Sequence, residues 1–471
     1  MTFEEMNLNK DIIQALYTLG YKKPLPIQEK VIPELLEGHD CIVKSRTGSG
    51  KTASFAIPII ENLEINERAP QALVLTPTRE LALQIQKDFD HIGTFKKIKT
   101  LPIFGKQPFK FQKEDLKQRC HVVIGTPGRI LDHLEQQTMD VSKIKYVILD
   151  EADEMLNMNF LDQVQAILKR IPNEHTTCLF SATYPEVIQR MTKKYLKNPK
   201  KIELKESSNH QIVQYAYHVD EINKPLFLLH LLSSLKPESC MIFCKTQANV
   251  DEVYEYLSAN EISVDKLHGG MMQEERLNHM NRFKKGKVRI LVCTDVASRG
   301  IDVFMVNLVV NYDMPSPAQT YTHRIGRSGR VDRQGLAISL VNEYDGLRLE
   351  KLEEYLGTNL EFKEDTEIFN SSLDSLHELS TSNRIVKDAS KDLRKDITKI
   401  YLNGGKNKKI RPGDIVGAIC EIEGVCADDI GVIQVQDHQS YVDILNGKGK
   451  LVLKQLKTIK GKQLRIQKAK N

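Results

Sequence analysis

Short uninterrupted runs of aliphatic and β-branched residues recur along the chain, each followed by a longer stretch of mixed polarity. Cys41-Ile42-Val43, Ala72-Leu73-Val74-Leu75, Val122-Val123-Ile124, Tyr146-Val147-Ile148-Leu149 and Cys178-Leu179-Phe180 lack the alternation of a half-exposed strand. They predict strands covered on both faces, as in a parallel sheet. Amphipathic stretches such as residues 81–89 lie between them, so the repeating unit is βαβ and the sheet is doubly wound. A second series begins near Tyr215, with strands expected at Met241-Ile242-Phe243, Ile290-Leu291-Val292 and Leu308-Val309-Val310. The pattern predicts two consecutive α/β domains, residues 1–205 and 206–360. From 361 to 395 the chain turns polar and Ser-rich and reads as a linker. A small third domain, 396–471, follows.

The length of 471 residues agrees with about three domains at roughly 150 residues each. No uncharged apolar run approaches the roughly 18 residues of a membrane span, so no membrane contact is expected. The acidic, polar start is not that of a secretory signal. The eight cysteines include no CxxC pair, and most fall in apolar runs, which predicts buried free thiols in a reducing cytoplasm. The formal charge of +5 is unremarkable until it is placed. Residues 391–471 hold 17 Lys/Arg and 9 Asp/Glu, a net of +8, so the rest of the chain carries −3.

The first strand ends at Ser45 and runs into Thr47-Gly48-Ser49-Gly50-Lys51-Thr52 and then a helix-like stretch. Strand, glycine-rich loop and helix are the context of a phosphate-binding loop, although Ser45 stands where the general motif has glycine. Backbone N–H groups of Thr47, Gly48, Ser49 and Gly50 would close around phosphate oxygens at a helix N-terminus. Lys51 would reach the outer phosphates and Thr52 would ligate magnesium. Asp150-Glu151-Ala152-Asp153 follows the apolar strand ending at Leu149. There Asp150 would hold the metal with Thr52, and Glu151 would orient the attacking water.

At these residues the chain resembles the DEAD-box family of ATP-dependent RNA helicases. The likeness extends in order through Pro77-Thr78-Arg79-Glu80-Leu81-Ala82, Thr126-Pro127-Gly128-Arg129, Ser181-Ala182-Thr183, Thr294-Asp295, Arg299-Gly300-Ile301-Asp302 and His323-Arg324-Ile325-Gly326-Arg327-Ser328-Gly329-Arg330. It implies two tandem RecA-like domains that bind ATP with Mg2+ and hydrolyse it when RNA is bound. Lys51, Asp150, Glu151, Arg327 and Arg330 would be catalytic, the two arginines as fingers. Phe3 and Gln28, in the stretch Gly20 to Gln28, would take adenine by stacking and by an amide pair. Leu25 departs from the family's Thr/Ser there. Asp302 would contact the ribose. Ser181, Thr183, Asp153, His323 and Arg324 would couple the sites, His323 and Arg324 by linking the DEAD segment to the opposite domain. Pro77, Thr78, Arg79, Gly105, Thr126, Gly128, Arg129, Gly269, Gly270, Gln273, Arg276 and Thr294 would line the RNA groove. Lys106 departs from the family's second glycine. The second domain shows no glycine-rich loop at residues 241–247, so one ATP site is expected.

The third domain resembles the RNA-recognition domain of the bacterial DbpA/YxiN-type subgroup, an α+β, RRM-like fold, through residues 400–419 and 428–433. That likeness implies 23S ribosomal RNA, the large-subunit precursor as partner, and a monomer. Residues 400–404 read as one recognition strand and Ser440-Tyr441-Val442-Asp443-Ile444 as the other, with Ile444 where a second aromatic would stack a base. From 447 onward nine Lys/Arg interleave with apolar residues and no acid, which argues for a packed, basic surface. A non-catalytic RNA-binding assembly scaffold is the competing class, and Lys51, Glu151 and Arg330 count against it. A processive DNA helicase is disfavoured by Gln28 and the basic module.

Overall fold

The computed structural model describes residues 1–45, 49–203, 212–295, 306–328, 335–364, 366–369, 372–382, 393 and 395–469. It divides into two compact units. The larger holds the first sheet and the C-terminal module, the smaller holds the second sheet.

The first sheet comprises β1 (Cys41–Lys44), β2 (Ala72–Leu75), β3 (Thr100–Ile103), β4 (Val122–Gly125), β5 (Tyr146–Leu149), β6 (Thr176–Ser181) and β7 (Lys200–Glu203), in the order β3-β4-β2-β5-β6-β1-β7. All neighbours are parallel. The five strands expected from uninterrupted apolar runs are β1, β2, β4, β5 and β6, the interior of the sheet. Helices cover both faces, and Leu73, Val123, Val147 and Leu179 sit in a core with Ile130, Val164 and Ile188. This order sorts the chemistry. The carboxyl ends of β5, β6 and β1 lie side by side, and so do those of β3, β4 and β2. In open α/β sheets ligands bind at such ends.

The second sheet comprises β8 (Ile212–His218), β9 (Cys240–Cys244), β10 (Val264–Leu267), β11 (Ile290–Thr294), β12 (Leu308–Asn311), β13 (Gly335–Val341) and β14 (Glu361–Phe362), in the order β10-β11-β9-β12-β13-β8-β14. Renumbered from its own first strand, this is the order of the first sheet. The stretch expected to be a linker from 361 departs from that expectation. β14 pairs with β8, and Ile368 and Leu379 are buried in the second domain's core beside Phe227 and Leu231. Ser233 Oγ donates to the Ser372 carbonyl at 2.7 Å, and Ser263 N to that of Leu379 at 2.9 Å. The described residues of this stretch therefore pack with the second domain, where Phe362, Phe369, Leu373 and Leu376 also lie against its core.

The module forms β15 (Thr398–Leu402), β16 (Ile430–Val435), β17 (Ser440–Ile444), β18 (Thr458–Ile459), β19 (Lys462–Gln463) and β20 (Ile466–Lys468). Its main sheet is antiparallel in the order β16-β17-β15-β20, while β18 and β19 make a separate hairpin. Helices Pro412–Cys420 and Gly449–Gln455 pack Ile415, Ile419 and Val452 onto Ile400, Leu402, Val442 and Ile444. Among the cysteines, six are buried as expected, but Cys420 and Cys426 are exposed. Among the described residues no helix is long and apolar enough to cross a membrane.

Candidate nucleotide and RNA sites

Gly50 caps the helix Lys51–Asn62 with φ +86°, a conformation that suits glycine. A Cβ there would also lie 2.6 Å from Leu25 Cδ1 and 2.8 Å from Gln28 Nε2. The amide of Gln28 braces this turn. Its Oε1 accepts from Leu25 N at 2.9 Å and its Nε2 donates to the Gly50 carbonyl at 3.3 Å. The residue expected to read adenine thus also ties its own helix to the loop. Phe3 is 1% exposed, so stacking a base on its ring requires the N-terminal turn to shift. Thr47 and Gly48 lie outside the described residues.

Lys51 starts that helix and is buried. Across β1 and β6, Asp150 follows β5 and is 2% exposed. Burial holds its carboxyl above the usual carboxylate range, a rise that the charge of Lys51 offsets only in part. Glu151, with φ +52°, turns the chain sharply into the helix Ala152–Asn157. Asp153 is held from β6: Thr183 N and Oγ1 donate to its Oδ2 at 2.8 and 2.9 Å. Asp153 N donates to Ser181 Oγ at 3.3 Å, and that hydroxyl donates to the Thr183 carbonyl at 2.5 Å. The expected coupling residues of the first domain therefore form one network at the ends of adjacent strands.

The other half of the sheet gathers the residues expected to meet RNA. Thr78 Oγ1 accepts from Leu81 N at 3.3 Å and caps the helix that Arg79 begins. A Cβ on Gly125 would stand 2.2 Å from the Ile103 carbonyl, so only glycine fits before Thr126. Arg129 donates through NH1 to the Gln107 carbonyl at 2.9 Å and to Gln112 Oε1 at 3.1 Å. Gln112 and His133, which join these turns, carry no motif and escaped sequence reasoning.

In the second domain Gly269 and Gly270 follow β10, Gln273 begins the helix Gln273–Lys284 with Arg276 on it, and Thr294 closes β11. His268 Nδ1 accepts from Gly270 N at 3.3 Å while Nε2 meets Asp251 Oδ1 at 3.1 Å, which fixes the ring and the glycine turn. His323 and Arg327 lie on and just beyond the helix Gln319–Ile325. Arg324 has partners that its motif does not announce. It is 2% exposed, grips Asp295 with Nε at 2.5 Å and NH2 at 2.7 Å, and gives NH1 to Asn311 Oδ1 and the Asp313 carbonyl. A buried guanidinium needs its counter-charge beside it, and Asp295 supplies it from the end of β11. Asp302 and Arg330 lie outside the described residues.

The module's strands place Tyr401 opposite Tyr441, with ring centroids 5.7 Å apart at 65°. Ile444 is buried on the other face, so it is core rather than a vacated stacking position. Strand parity decides this: Ile400, Leu402, Val442 and Ile444 point to the helices, Tyr401 and Tyr441 away from them.

A buried lysine opening a helix after one strand, answered by a buried carboxyl at the end of a strand two places away, is the machinery of a nucleoside triphosphatase. The DEAD/DEAH box helicase family matches residues 25–191, and the helicase conserved C-terminal domain matches residues 223–332. The chain belongs to the DEAD-box family of ATP-dependent RNA helicases. The DbpA RNA binding domain matches residues 399–468, which places it in the DbpA-type branch. It is 48% identical over 474 residues to the ATP-dependent RNA helicase DbpA of Bacillus subtilis, covering 99% of each chain. It is 42% identical over 342 residues to the helicase CshA of Geobacillus kaustophilus, covering 72% of this chain and 73% of the relative. Among solved structures, S. cerevisiae Dbp5 bound to RNA and ADP BeF3 aligns at 30% identity with a TM-score of 0.71, covering 81% of this chain and 100% of that one.

Proposed function

We propose that the protein spends ATP to open or remodel 23S ribosomal RNA locally during assembly of the large ribosomal subunit, acting as a cytoplasmic monomer. One observation carries the reading: residues 391–471, which carry the net charge of +8, contain the segment that matches the DbpA RNA binding domain. Phosphate contacts give such a surface its affinity, and the Tyr401–Tyr441 pair offers ring faces for unpaired bases.

In the core, Lys51 and the N–H groups of residues 47–50 hold the phosphates, Gln28 reads adenine, and Asp302 takes the ribose. Thr52 and Asp150 offer the hard oxygen donors that magnesium prefers, and a carboxyl so buried is stabilised by a cation beside it. Magnesium bound there supplies charge neutralisation at the phosphate oxygens. Glu151 orients the attacking water, and Arg327 and Arg330 give positive charge to the transferred group. RNA binding and ATP binding favour each other because each prefers the same hydrolysis-competent state.

The test compares ATPase stimulation by a 23S ribosomal RNA fragment, an unrelated RNA and single-stranded DNA. The ribosomal fragment should stimulate at the lowest concentration, and deletion of residues 391–471 should erase that preference while generic RNA stimulation persists. Equal stimulation of the intact protein by ribosomal and unrelated RNA would sink the ribosomal reading. Stimulation by DNA equal to RNA would sink the RNA reading.

A further inference from the structure

One buried side chain ties together two turns of the first domain. Gln112 sits on the helix Phe109–Leu116 and is 2% exposed. Its Nε2 donates to the Phe104 carbonyl at 2.9 Å and lies 3.1 Å from Gln107 Oε1, so both protons go to the turn that carries Gly105. Its Oε1 accepts from Arg129 NH1 at 3.1 Å and lies 3.2 Å from His133 Nε2. A primary amide has two donors and two lone pairs, and all four are matched here.

The surroundings fix which way the amide faces. His133 is buried, and its ring stacks on Phe109 with centroids 4.1 Å apart and planes at 12°. Burial, helped by the charge of Arg129, pushes its pKa down to about 4, so the ring is neutral at neutral pH. A neutral imidazole facing an acceptor oxygen donates to it, while Nδ1 faces the Thr138 hydroxyl at 2.7 Å. Arg129 is equally constrained. NH1 is shared between Gln112 Oε1 and the Gln107 carbonyl, and Nε lies 3.4 Å from Asp132 Oδ2. Its NH2 donates to nothing among the described residues, and the side chain is 16% exposed. One edge of the guanidinium is thus left for an outside acceptor.

We propose that Gln112 is a positioning residue for RNA binding, which sets Arg129 and the Gly105 turn in fixed relation so that their phosphate contacts need no ordering when RNA arrives. This rests on the reading that Gly105 and Arg129 contact RNA. The mechanism is preorganisation: side-chain entropy lost at folding is not lost again at binding. The amide is specific to the task. A glutamate of the same shape has no donor for Phe104 or Gln107, and its charge would draw Arg129 into a buried ion pair.

The test is RNA-stimulated ATPase of the full chain, titrated with poly(U), for Gln112→Glu, Gln112→Ala, Arg129→Ala and the double alanine variant. Gln112→Glu should need about tenfold more RNA for half-maximal stimulation, the scale of one charge-assisted hydrogen bond, with maximal turnover within about twofold of the parent. The double alanine variant should lose less than the product of the two single losses. Gln112→Ala places no charge in the core and carries the test if the glutamate variant does not fold. A folded Gln112→Ala with the parent's RNA requirement, beside an Arg129→Ala that needs more RNA, overturns the positioning role alone. An Arg129→Ala with the parent's requirement overturns the RNA reading of this turn, and the proposal with it. Equal losses in maximal turnover and RNA affinity mark general damage and also overturn it.

Discussion

The two α/β domains have one strand order and opposite fates at the same point in it. After β1 the chain enters a glycine-rich turn and a helix whose first residue is Lys51. After β8 it enters Val219-Asp220-Glu221-Ile222-Asn223, without glycine, and then a helix whose first residue is Lys224. Lys51 answers Asp150 beyond β5. Lys224 answers Asp313 beyond β12, with Nζ 3.6 Å from Oδ1. The expectation of a single ATP site rested on residues 241–247, which run from β9 to the start of the helix Gln247–Ala259; the topological counterpart of the phosphate loop lies at 219–223. There Glu221 stands 2.8 Å from Lys224 Nζ, and Lys224 is 1% exposed. The second domain has a lysine and an acid at the same points of its sheet, and sets its own carboxylate, Glu221, against that lysine. Under the proposed function, what separates a catalytic site from a structural ion pair here is the sequence of the loop, not the fold.

The comparison breaks most sharply at turnover. Glu151→Gln should lower RNA-stimulated phosphate release by at least about a hundredfold, the scale of a lost general base or water-orienting group. Glu221→Gln should stay within about twofold, measured at saturating ATP and RNA. Comparable losses in both would refute the division into active and sealed sites. Stability should show the reverse ranking. Lys224→Met leaves Asp313 without its buried partner and should cost about 3 kcal/mol in urea unfolding followed by a second-domain probe. Lys51→Met should cost less than half of that while abolishing turnover. The pair also fixes a pH dependence. Burial raises the Glu221 carboxyl, but its hydrogen bonds with Lys224 and Asn342 outweigh this and hold it below 4.5. A depressed carboxyl stabilises above its unfolded value and loses that contribution as pH falls through its folded value. Acid should therefore narrow the stability gap between the parent and Glu221→Gln, in parallel melts from pH 7 to pH 3.

The contrast between motor and module has its own measure. If the module neutralises about six phosphates of a single strand, log K against log salt should slope at roughly −4, and deletion of 391–471 should flatten it. Tyr441→Ala should weaken ribosomal RNA binding by about 1–3 kcal/mol with little loss of stability. Ile444→Ala, on the covered face, should do the opposite.

Residues buried on both faces announced themselves; residues at edges did not. The five central strands of the first sheet are plain apolar runs. β3 contains Pro102 and is half-buried, and β7 reads Lys-Lys-Ile-Glu, because an edge strand must satisfy water as well as the sheet. Motif chemistry was equally legible where backbone and side chain act together, as at Gly50-Lys51 and Asp150-Glu151. Partnership was not. Nothing in the sequence around Arg324 says that Asp295 will hold it, or that the amide of Gln112 will span two turns, because those bonds join residues distant in the chain. Ile368 and Leu379 were hidden by their polar neighbours, and the face of Ile444 depended on strand parity that composition does not record.

The smallest expected effect concerns Leu25, which stands at the N-cap of the helix Pro26–Leu36 and makes no side-chain cap bond. It is 41% exposed, so little apolar burial is lost on replacing it. Threonine there could accept from the Gln28 backbone N–H, an orphan donor of the first turn, and caps of this kind contribute about 1 kcal/mol. Leu25 Cδ1 also occupies the space above Gly50, which threonine would leave open. The two effects oppose each other, so Leu25→Thr should stabilise the first domain by about 0.5 kcal/mol in denaturant titrations. ATP should still be preferred over GTP, because Gln28 keeps its bonds to Leu25 N and Gly50 O. A change of nucleotide preference would show instead that this position, and not Gln28 alone, sets the fit of the base.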